Sequence, residues 1–328
     1  MTTAQSLWSV AAGQMALRET ILPPPAPGMV QLRALFSGVS RGTEALVLAG
    51  QVPELLQDTM RCPAQDGDFP FPVKYGYALV GVVEDGPEDL KGRTCFTLHP
   101  HQDSAQVPAD MAVPLPEGLP ARRAVLTANM ETALNITWDA GAAPGDRVLV
   151  VGAGVVGLLT ASLIRDIPGT EVVLVDINPA RRAVADALGL TFCLPEDAPQ
   201  GVDIAINLSA HEAGLQLALD AAGQEATVVE ASWFGTRATS LRLGAGFHPK
   251  RLTLKSSQVG DLSPARKPRW TYRRRLETAM ALLRDRPALD HLVQQALPFA
   301  DAPDLLPPLL APGADALCPV LIYPEDGA

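Results

Sequence analysis

Three glycines in the middle of the chain have the spacing of a loop that binds the phosphates of a dinucleotide. These glycines are Gly152, Gly154 and Gly157, and they lie between an apolar strand candidate and an apolar helix candidate. In such a loop the first glycine permits a tight turn, the second lets a pyrophosphate approach the backbone, and the third lets helix and strand pack closely. Amides at the helix start, around Val155 and Val156, then face the phosphates.

An acidic residue adds to this signal. Asp176 closes the next strand candidate, 19 residues after Gly157, where it can accept hydrogen bonds from a ribose diol. Its charge would repel a 2′-phosphate, so NAD is favoured over NADP, although Arg181 and Arg182 on the following helix could soften that preference. The alternative is an ordinary strand–helix–strand unit with glycines at a helix start. The combination of the strand, the glycines, the helix and the acidic residue favours cofactor binding.

The elements around this loop predict an α/β fold with a doubly wound parallel sheet. Six strand candidates, most of them separated by helix candidates, lie at 147–151, 171–175, 191–194, 203–208, 225–231 and 251–256. Six strands are the full complement of a dinucleotide-binding domain. The first 120 residues are mostly β, and a helix near 274–284 and a strand at 319–323 follow the sheet. We expect this tail to complete the N-terminal part, which gives domains at 1–121, 122–257 and 258–328.

Composition excludes several classes of protein. The chain has 328 residues, 47% hydrophobic and 19% charged, which excludes a disordered chain. Its net charge of −10 argues against nucleic acid as a partner. The apolar run 148–164 is interrupted by glycines, so we expect a strand, a turn and a helix, and no membrane span. Four scattered cysteines without a C-x-x-C pair, and no visible signal peptide, indicate a cytoplasmic protein with reduced thiols.

Beyond the glycine loop, the segments 76–83, 144–150 and 250–254 resemble the medium-chain dehydrogenase/reductase superfamily, over nearly the whole chain. Residues 37–44 are similar to a motif of the branch that includes bacteriochlorophyllide a dehydrogenase. The resemblance implies a six-stranded Rossmann domain inserted in a mostly-β GroES-like catalytic domain. It also implies an NAD(P)-dependent oxidoreductase that forms a homodimer through the sixth strand.

The departures from that superfamily concern zinc. Its zinc alcohol dehydrogenases carry a cysteine where this chain has Ser40, and a Gly-His-Glu where it has Tyr77 in the histidine position. Their third ligand corresponds to Ala128. These side chains cannot replace the thiolates and imidazole that zinc requires. The four closely spaced cysteines of the structural zinc lobe are also missing, so we predict neither a catalytic nor a structural zinc.

Without zinc, a side chain must exchange a proton with the substrate oxygen. The resemblance places Ser40, Tyr77 and Ala128 around the nicotinamide, and Tyr77 is the first candidate. Lys74 could lower its pKa if the two side-chain ends meet; alternatively, Tyr77 only fills the volume that the metal vacates. Glu44 could line the cleft or be a solvated or helix-capping carboxylate. His99, in an H-x-H pair with His101, is a candidate proton shuttle.

Other charged residues have two interpretations each. The resemblance suggests that Arg41 reaches the cofactor pyrophosphate; the alternative is a surface arginine. Glu131 is a catalytic candidate that ranks below Tyr77. A basic stretch could recognise an anionic substrate, although a solvated helix start is favoured; it contains Arg266, Lys267, Arg269, Arg273, Arg274 and Arg275, with Trp270 and Tyr272 between them. Trp233 and Phe234 could wall a substrate pocket, or belong to the core or to an interface.

These observations predict a zinc-independent, NAD(P)-dependent oxidoreductase that transfers hydride between nicotinamide and the alcohol/carbonyl pair of a small molecule. One alternative is a zinc-free quinone or enoyl reductase, which adds hydride to the carbon of an activated alkene. Another is a dinucleotide-binding sensor without turnover, which the loss of the metal ligands keeps open.

Overall fold

The computed structural model describes residues 2–324. The chain divides into two compact units. Residues up to Ala128 and residues from Met280 onward form the first unit, and Asn129–Ala279 form the second. The domain boundaries derived from the sequence stay a prediction.

The first unit is rich in strands. In chain order the elements are β1 Thr2–Ala11, β2 Gln14–Leu22, β3 Met29–Gly38, α1 Arg41–Leu48, the 3-10 helix Glu54–Leu56, β4 Asp66–Gly67, β5 Val73–Lys74, β6 Leu79–Asp85, β7 Thr94–Thr97, β8 Ser104–Pro108, the 3-10 helix Ala109–Met111, β9 Val113–Pro114 and α2 Ala121–Ala124. Along β3, Val30, Leu32 and Ala34 are fully buried, because alternate residues of a strand point to the same face.

Strands and helices then alternate. The elements are α3 Thr127–Ala140, β10 Arg147–Val151, α4 Val155–Arg165, β11 Glu171–Val175, α5 Arg181–Ala187, β12 Thr191–Cys193, the 3-10 helix Pro195–Asp197, β13 Val202–Asn207, α6 Glu212–Ala221, β14 Ala222–Glu230, β15 Thr253–Ser256 and α7 Tyr272–Arg284. The sheet is parallel with the order β12-β11-β10-β13-β14-β15. The predicted six-stranded doubly wound sheet is therefore confirmed, and the order is that of dinucleotide-binding domains.

The chain ends in elements that join the first unit. They are the 3-10 helix Pro287–Leu292, β16 Ala296–Pro298, the 3-10 helix Phe299–Asp301, α8 Ala302–Leu310 and β17 Val320–Ile322. β17 pairs antiparallel with β3, where Leu321 lies opposite Ser37. The resulting seven-stranded sheet has the path β16-β17-β3-β6-β7-β9 with β8 beside β3, and a second sheet has the order β2-β1-β5-β4. An antiparallel β-rich unit thus accompanies the parallel sheet, as predicted.

The apolar run at 148–164 divides as expected. Its first part is strand β10, its last part is helix α4, and the glycine loop separates them. Among residues 2–324, no helix has the length and apolar character needed to cross a bilayer.

Candidate active site

The glycine loop has the geometry that the sequence predicts. Gly152 directly follows β10 and has a φ of +108°, a conformation that residues with a side chain rarely adopt. A Cβ at Gly152 would lie 2.8 Å from backbone atoms of Leu208 and Ser209. A Cβ at Gly157 would overlap the carbonyl oxygen of Gly152. Glycine is therefore required at both positions by close backbone contacts.

The start of α4 offers open space for an anion. Gly154 is the N-cap residue, and a Cβ built there would meet no atom within 4 Å. Val155 and Val156 form the first turn of α4, whose amides have no acceptor within the helix. Helix N-termini of this kind bind phosphates through those amides and the helix dipole. The loop therefore fits a dinucleotide pyrophosphate.

Asp176 ties the end of β11 to the glycine loop. Its Oδ2 accepts a hydrogen bond from Ala153 N at 2.6 Å, and its Oδ1 accepts one from Asn178 N at 2.8 Å. A carboxylate offers about four lone-pair directions, and the side chain is only half-buried. Asp176 therefore keeps acceptor capacity for the hydroxyl groups of a ribose.

The two arginines that follow Asp176 are held by the protein itself. Arg181 is buried at the start of α5. Arg182 stacks over the Phe192 ring at 4.9 Å and donates to Phe192 O at 3.1 Å. Its guanidinium is therefore positioned by β12 rather than held free beside Asp176.

Tyr77 lies in the first unit with polar neighbours on its hydroxyl. The side chains of Ser40 and Thr43 form hydrogen bonds with that hydroxyl. Burial raises the pKa of Tyr77, and the charge of Glu44 raises it further. The phenol is therefore in its protonated form at neutral pH.

Glu44 belongs to a buried chain of hydrogen bonds. Its Oε2 lies 2.9 Å from His101 Nε2, and its Oε1 accepts from Ser40 N at 2.7 Å. His101 Nδ1 lies 2.7 Å from Ser37 Oγ, which lies 2.8 Å from Tyr323 Oη. Because Glu44 is 4% and His101 1% exposed, Glu44 is not a solvated carboxylate. Its bond to Ser40, the N-cap residue of α1, agrees with the helix-capping interpretation. A small pocket lined by Leu7, Ser9, Met15, Val47 and Tyr75 adjoins the pair.

Lys74 is hydrogen-bonded to Gln102 and not to Tyr77. Its Nζ donates to Gln102 Oε1 at 3.1 Å, and burial lowers its own pKa. The charge that acts on Tyr77 comes from Glu44 and raises the pKa. The condition for Lys74 to lower the pKa of Tyr77 is therefore not met, and that pKa is raised.

His99 and His101 have different environments. His99 Nδ1 lies 2.8 Å from Pro100 O, and burial lowers the pKa of the ring to about 4. The ring is therefore neutral at neutral pH, and the role of His99 as a proton shuttle stays a prediction. His101 was overlooked as a partner of Glu44. The only sequence feature that pointed to His101 was its place in the H-x-H pair with His99.

The buried His99 predicts a loss of stability in acid. An unfolded chain binds a proton on this ring below pH 6.5, whereas the folded protein does so only near pH 4. The folded state therefore loses stability as the pH falls through this window, by about 3 kcal/mol in full. Urea unfolding at pH 7 and pH 4.5 should show a smaller acid loss for His99→Gln than for wild type. The exposed control His248→Gln should retain the wild-type loss, and equal acid losses in all three proteins would refute this account.

Two further candidates have structural partners. Arg41 donates to Leu309 O at 3.2 Å and to Ala311 O at 3.1 Å, at the end of α8. These bonds stabilise a helix C-terminus, and a contact of Arg41 with pyrophosphate stays a prediction. Glu131 forms a buried ion pair with Arg275, with 2.8 Å between Glu131 Oε1 and Arg275 Nε. This ion pair accounts for the burial of Glu131 without a catalytic role.

The basic stretch forms stacked layers of arginine and tryptophan. Arg274 lies 4.0 Å from the Trp270 ring, the Trp270 and Trp138 ring centroids are 4.6 Å apart, and Arg266 lies 5.5 Å from the Trp138 ring. This arrangement agrees with the favoured interpretation of stacked arginines at a solvated helix start. Trp233 and Phe234 are half-buried beyond the end of β14.

Comparison with curated proteins finds partial sequence matches. No family model matches the chain. The chain is 28% identical over 153 residues to D-xylulose reductase A of Aspergillus oryzae, covering 44% of this chain and 43% of that protein. It is 26% identical over 219 residues to sorbitol dehydrogenase of Arabidopsis thaliana, covering 56% of each. The matches thus span about half the length of these relatives.

Solved structures match over almost the whole chain. L-idonate 5-dehydrogenase of Escherichia coli has a TM-score of 0.81 at 15% identity, covering 98% of this chain and 99% of that one. An alcohol dehydrogenase from Escherichia coli in complex with NADH has a TM-score of 0.78 at 16% identity, covering 98% and 100%. A dehydrogenase from Sinorhizobium meliloti bound to NADP has a TM-score of 0.77 at 17% identity, with the same coverage. The chain therefore has the fold of these dehydrogenases, and about half of its sequence is similar to the curated relatives.

The positions at which the resemblance would place zinc ligands hold other side chains here. Ser40 and Tyr77 are hydrogen-bonded to each other, and Ala128 offers no ligand atom. In the part of the chain from residue 2 to residue 324, no three His, Cys, Asp or Glu side chains are grouped closely enough to hold a metal ion. The donor set present does not fit zinc, which requires thiolate, imidazole or carboxylate ligands.

Proposed function

We propose that the chain is an NAD-dependent oxidoreductase that transfers hydride between nicotinamide and an alcohol/carbonyl pair without zinc. The observation that carries this proposal is the glycine loop. Gly152 and Gly157 are fixed by close backbone contacts, Gly154 faces open space, and Asp176 closes the adjacent strand. Together these features fit the phosphates and the adenosine ribose of a dinucleotide.

The preference for NAD rests on the charges beside the ribose site. Asp176 would repel a 2′-phosphate. Arg182, which could neutralise that phosphate, is stacked on Phe192 and bonded to its carbonyl. We therefore expect NADH to bind more tightly than NADPH.

Replacing Asp176 by Ser tests this preference. A hydrogen bond to a charged group contributes about 1.5–3 kcal/mol, so the ratio of the Kd for NADPH to the Kd for NADH should fall by roughly tenfold or more. Calorimetric titration with both cofactors measures the ratio. Asp186→Asn, at an exposed carboxylate on α5, is the control and should bind as wild type does. A wild-type preference for NADPH would contradict the prediction.

Tyr77 is the proposed proton donor. When bound, NADH supplies the hydride. The raised pKa keeps the Tyr77 phenol protonated, so it can donate to the oxygen of a carbonyl as that oxygen gains negative charge. Ser40 and Thr43 orient the hydroxyl, and Glu44 disfavours the phenolate. This arrangement favours carbonyl reduction.

Polyols and their ketoses are the substrate class that we propose first. The curated relatives are named for D-xylulose and sorbitol, although the matches cover only part of each protein. A membership in the bacteriochlorophyllide branch, argued from residues 37–44, stays a proposal beside this one, as does an anionic substrate bound by the basic stretch.

Transfer of deuterium from C4-labelled NADH tests the proposal. A panel of ketoses, aromatic ketones, quinones and enones is incubated with the protein, and products are analysed by mass spectrometry. Label on a carbinol carbon supports the proposal. Label on the carbon of a former alkene identifies an enoyl-type reductase instead. Tight NADH binding with no label in any product identifies a sensor.

We propose that two copies pair through β15. This strand ends the parallel sheet, has β14 as its neighbour on one side, and has all four residues exposed. Edge strands of this kind pair readily with another chain. Light scattering should give twice the chain mass of 34.6 kDa. Leu254→Glu should yield monomers, and Leu55→Glu, at another exposed leucine, should not. A monomeric wild-type protein would exclude the dimer.

We also propose a cytoplasmic location. All four cysteines, Cys62, Cys95, Cys193 and Cys318, are free thiols. Free thiols persist in a reducing compartment. Fractionation of the source cells tests the location.

A further inference from the structure

A row of residues crosses the parallel sheet at its carboxyl edge. Val175 lies beside Val151, Val151 beside Asn207, and Asn207 beside Glu230. Asn207 and Glu230 are the polar members of this group, and each is the last residue of its strand. They lie at the sheet edge where ligands bind in open α/β folds.

Asn207 and Glu230 form a polar cluster with two serines. Asn207 Nδ2 donates to Glu230 Oε2 at 2.6 Å, and Asn207 Oδ1 accepts from Ser209 Oγ at 2.7 Å. Glu230 Oε1 accepts from Ser232 N at 2.8 Å and also from the Ser232 hydroxyl. Asn207 is fully buried, whereas Glu230 is half-buried. The cluster holds one carboxylate in a fixed place at the sheet edge.

The strand order says which half of a dinucleotide this carboxylate meets. The order reverses between β10 and β13, and a dinucleotide lies across such a reversal. Asp176 follows β11 on one side, and the glycine loop follows β10. The other half of a bound dinucleotide would then extend over β13 and β14. Glu230 is three strands from β11, about 14 Å at ordinary strand spacing.

We propose that Glu230 lies in the subsite for the nicotinamide half and that its carboxylate favours the oxidised cofactor over the reduced one. The inference rests on the proposed function, because it requires that the chain binds NAD. The nicotinamide ring carries a positive charge in NAD⁺ and none in NADH. A fixed negative charge beside the ring therefore stabilises bound NAD⁺ selectively.

The surroundings of Glu230 leave that charge uncompensated. Its hydrogen-bond partners, Asn207 and Ser232, are neutral. Burial raises the pKa of Glu230, and the groups that oppose this rise, Ser232 and Asn207, are neutral. A carboxylate without a cationic partner gains most from a cation that arrives with a ligand.

Titration of wild type and Glu230→Gln with three ligands tests the proposal. Fluorescence or calorimetry gives Kd values for NAD⁺, NADH and ADP-ribose, which lacks the nicotinamide. We expect the glutamine variant to weaken NAD⁺ by about tenfold relative to NADH. ADP-ribose should bind within about twofold of wild type. Glu171→Gln, an exposed carboxylate at the opposite edge of the same sheet, is the matched control and should leave all three Kd values unchanged.

The other outcomes distinguish a failure of the role of Glu230 from a failure of the proposed function. An unchanged ratio of the Kd values for NAD⁺ and NADH in a variant that binds ADP-ribose overturns the role of Glu230. Equal losses for all three ligands overturn it too, because they indicate a structural role. Glu230→Ala repeats the test if the glutamine variant fails to bind ADP-ribose. A wild-type protein that binds neither NAD⁺ nor NADH overturns the proposed function and the inference with it.

Discussion

Replacing Tyr77 by Phe is expected to lower kcat for carbonyl reduction by about a hundredfold to ten-thousandfold. This is the usual loss when a positioned acid is removed. Phenylalanine keeps the ring and removes only the hydroxyl that Ser40 and Thr43 orient. The Kd for NADH should stay unchanged, because Tyr77 is not part of the glycine loop.

The pH profile distinguishes an acid from a ring that fills space. Because the pKa of Tyr77 is raised above its ordinary value of 10, wild-type reduction should show no alkaline fall due to this group up to about pH 10. Steady-state kinetics with NADH and the substrate found by deuterium transfer measure both quantities.

Tyr75→Phe is the matched control for Tyr77→Phe. Tyr75 is a buried neighbour whose ring meets that of Tyr77 edge to face at 6.0 Å, and its hydroxyl donates to Met60 O. We expect its kcat to stay near that of wild type. A Tyr77→Phe variant with wild-type kcat would mean that Tyr77 only occupies the volume of the missing metal site.

Replacing Arg275 by Met is expected to lower the free energy of unfolding by about 3–5 kcal/mol. Arg275 is 2% exposed and pairs with Glu131 Oε1 at 2.8 Å. It also donates to Asn135 Oδ1 at 2.9 Å and to Val259 O at 2.7 Å. Removing one partner of a buried ion pair leaves an uncompensated charge, which accounts for most of the loss. Urea unfolding followed by circular dichroism measures it.

The pH dependence of this loss follows from Glu131. Burial raises the pKa of Glu131, and Arg275 opposes that rise. Without Arg275 the carboxyl takes up a proton more readily, so the loss should shrink as the pH falls. The double variant Glu131→Leu/Arg275→Met should recover part of the stability. Arg273→Met, which removes an exposed pair with Glu277, should cost about 0.5 kcal/mol or less. Equal stability of the two single arginine variants would contradict the account.

The parallel sheet could be predicted because its strands are continuous apolar runs between turn residues. The bounds of β10 and β11 match the predicted 147–151 and 171–175. The last strand was predicted to begin at Arg251 but begins at Thr253. Arg251 has a φ of +53°, which belongs to a turn and not to a strand.

The candidate site could be predicted only where its residues lie close together in the sequence. The glycine loop and Asp176 form one continuous strand–helix–strand unit, so their spacing carries the prediction. The partners of the polar residues are distant: Glu44 meets His101 across 57 positions, and Lys74 meets Gln102 across 28. No spacing rule states which of two histidines in an H-x-H pair faces a given carboxylate. The partner of Lys74 depends in the same way on how the strands pack.

Hydride transfer by protein freed of metal tests the central claim most directly. The protein is dialysed against a strong chelator, its metal content is measured by mass spectrometry, and deuterium transfer from labelled NADH is followed. We predict transfer at the same rate before and after dialysis, with zinc well below one ion per chain in both samples. Zinc at one ion per chain, with activity lost on chelation and restored by zinc, would contradict the account.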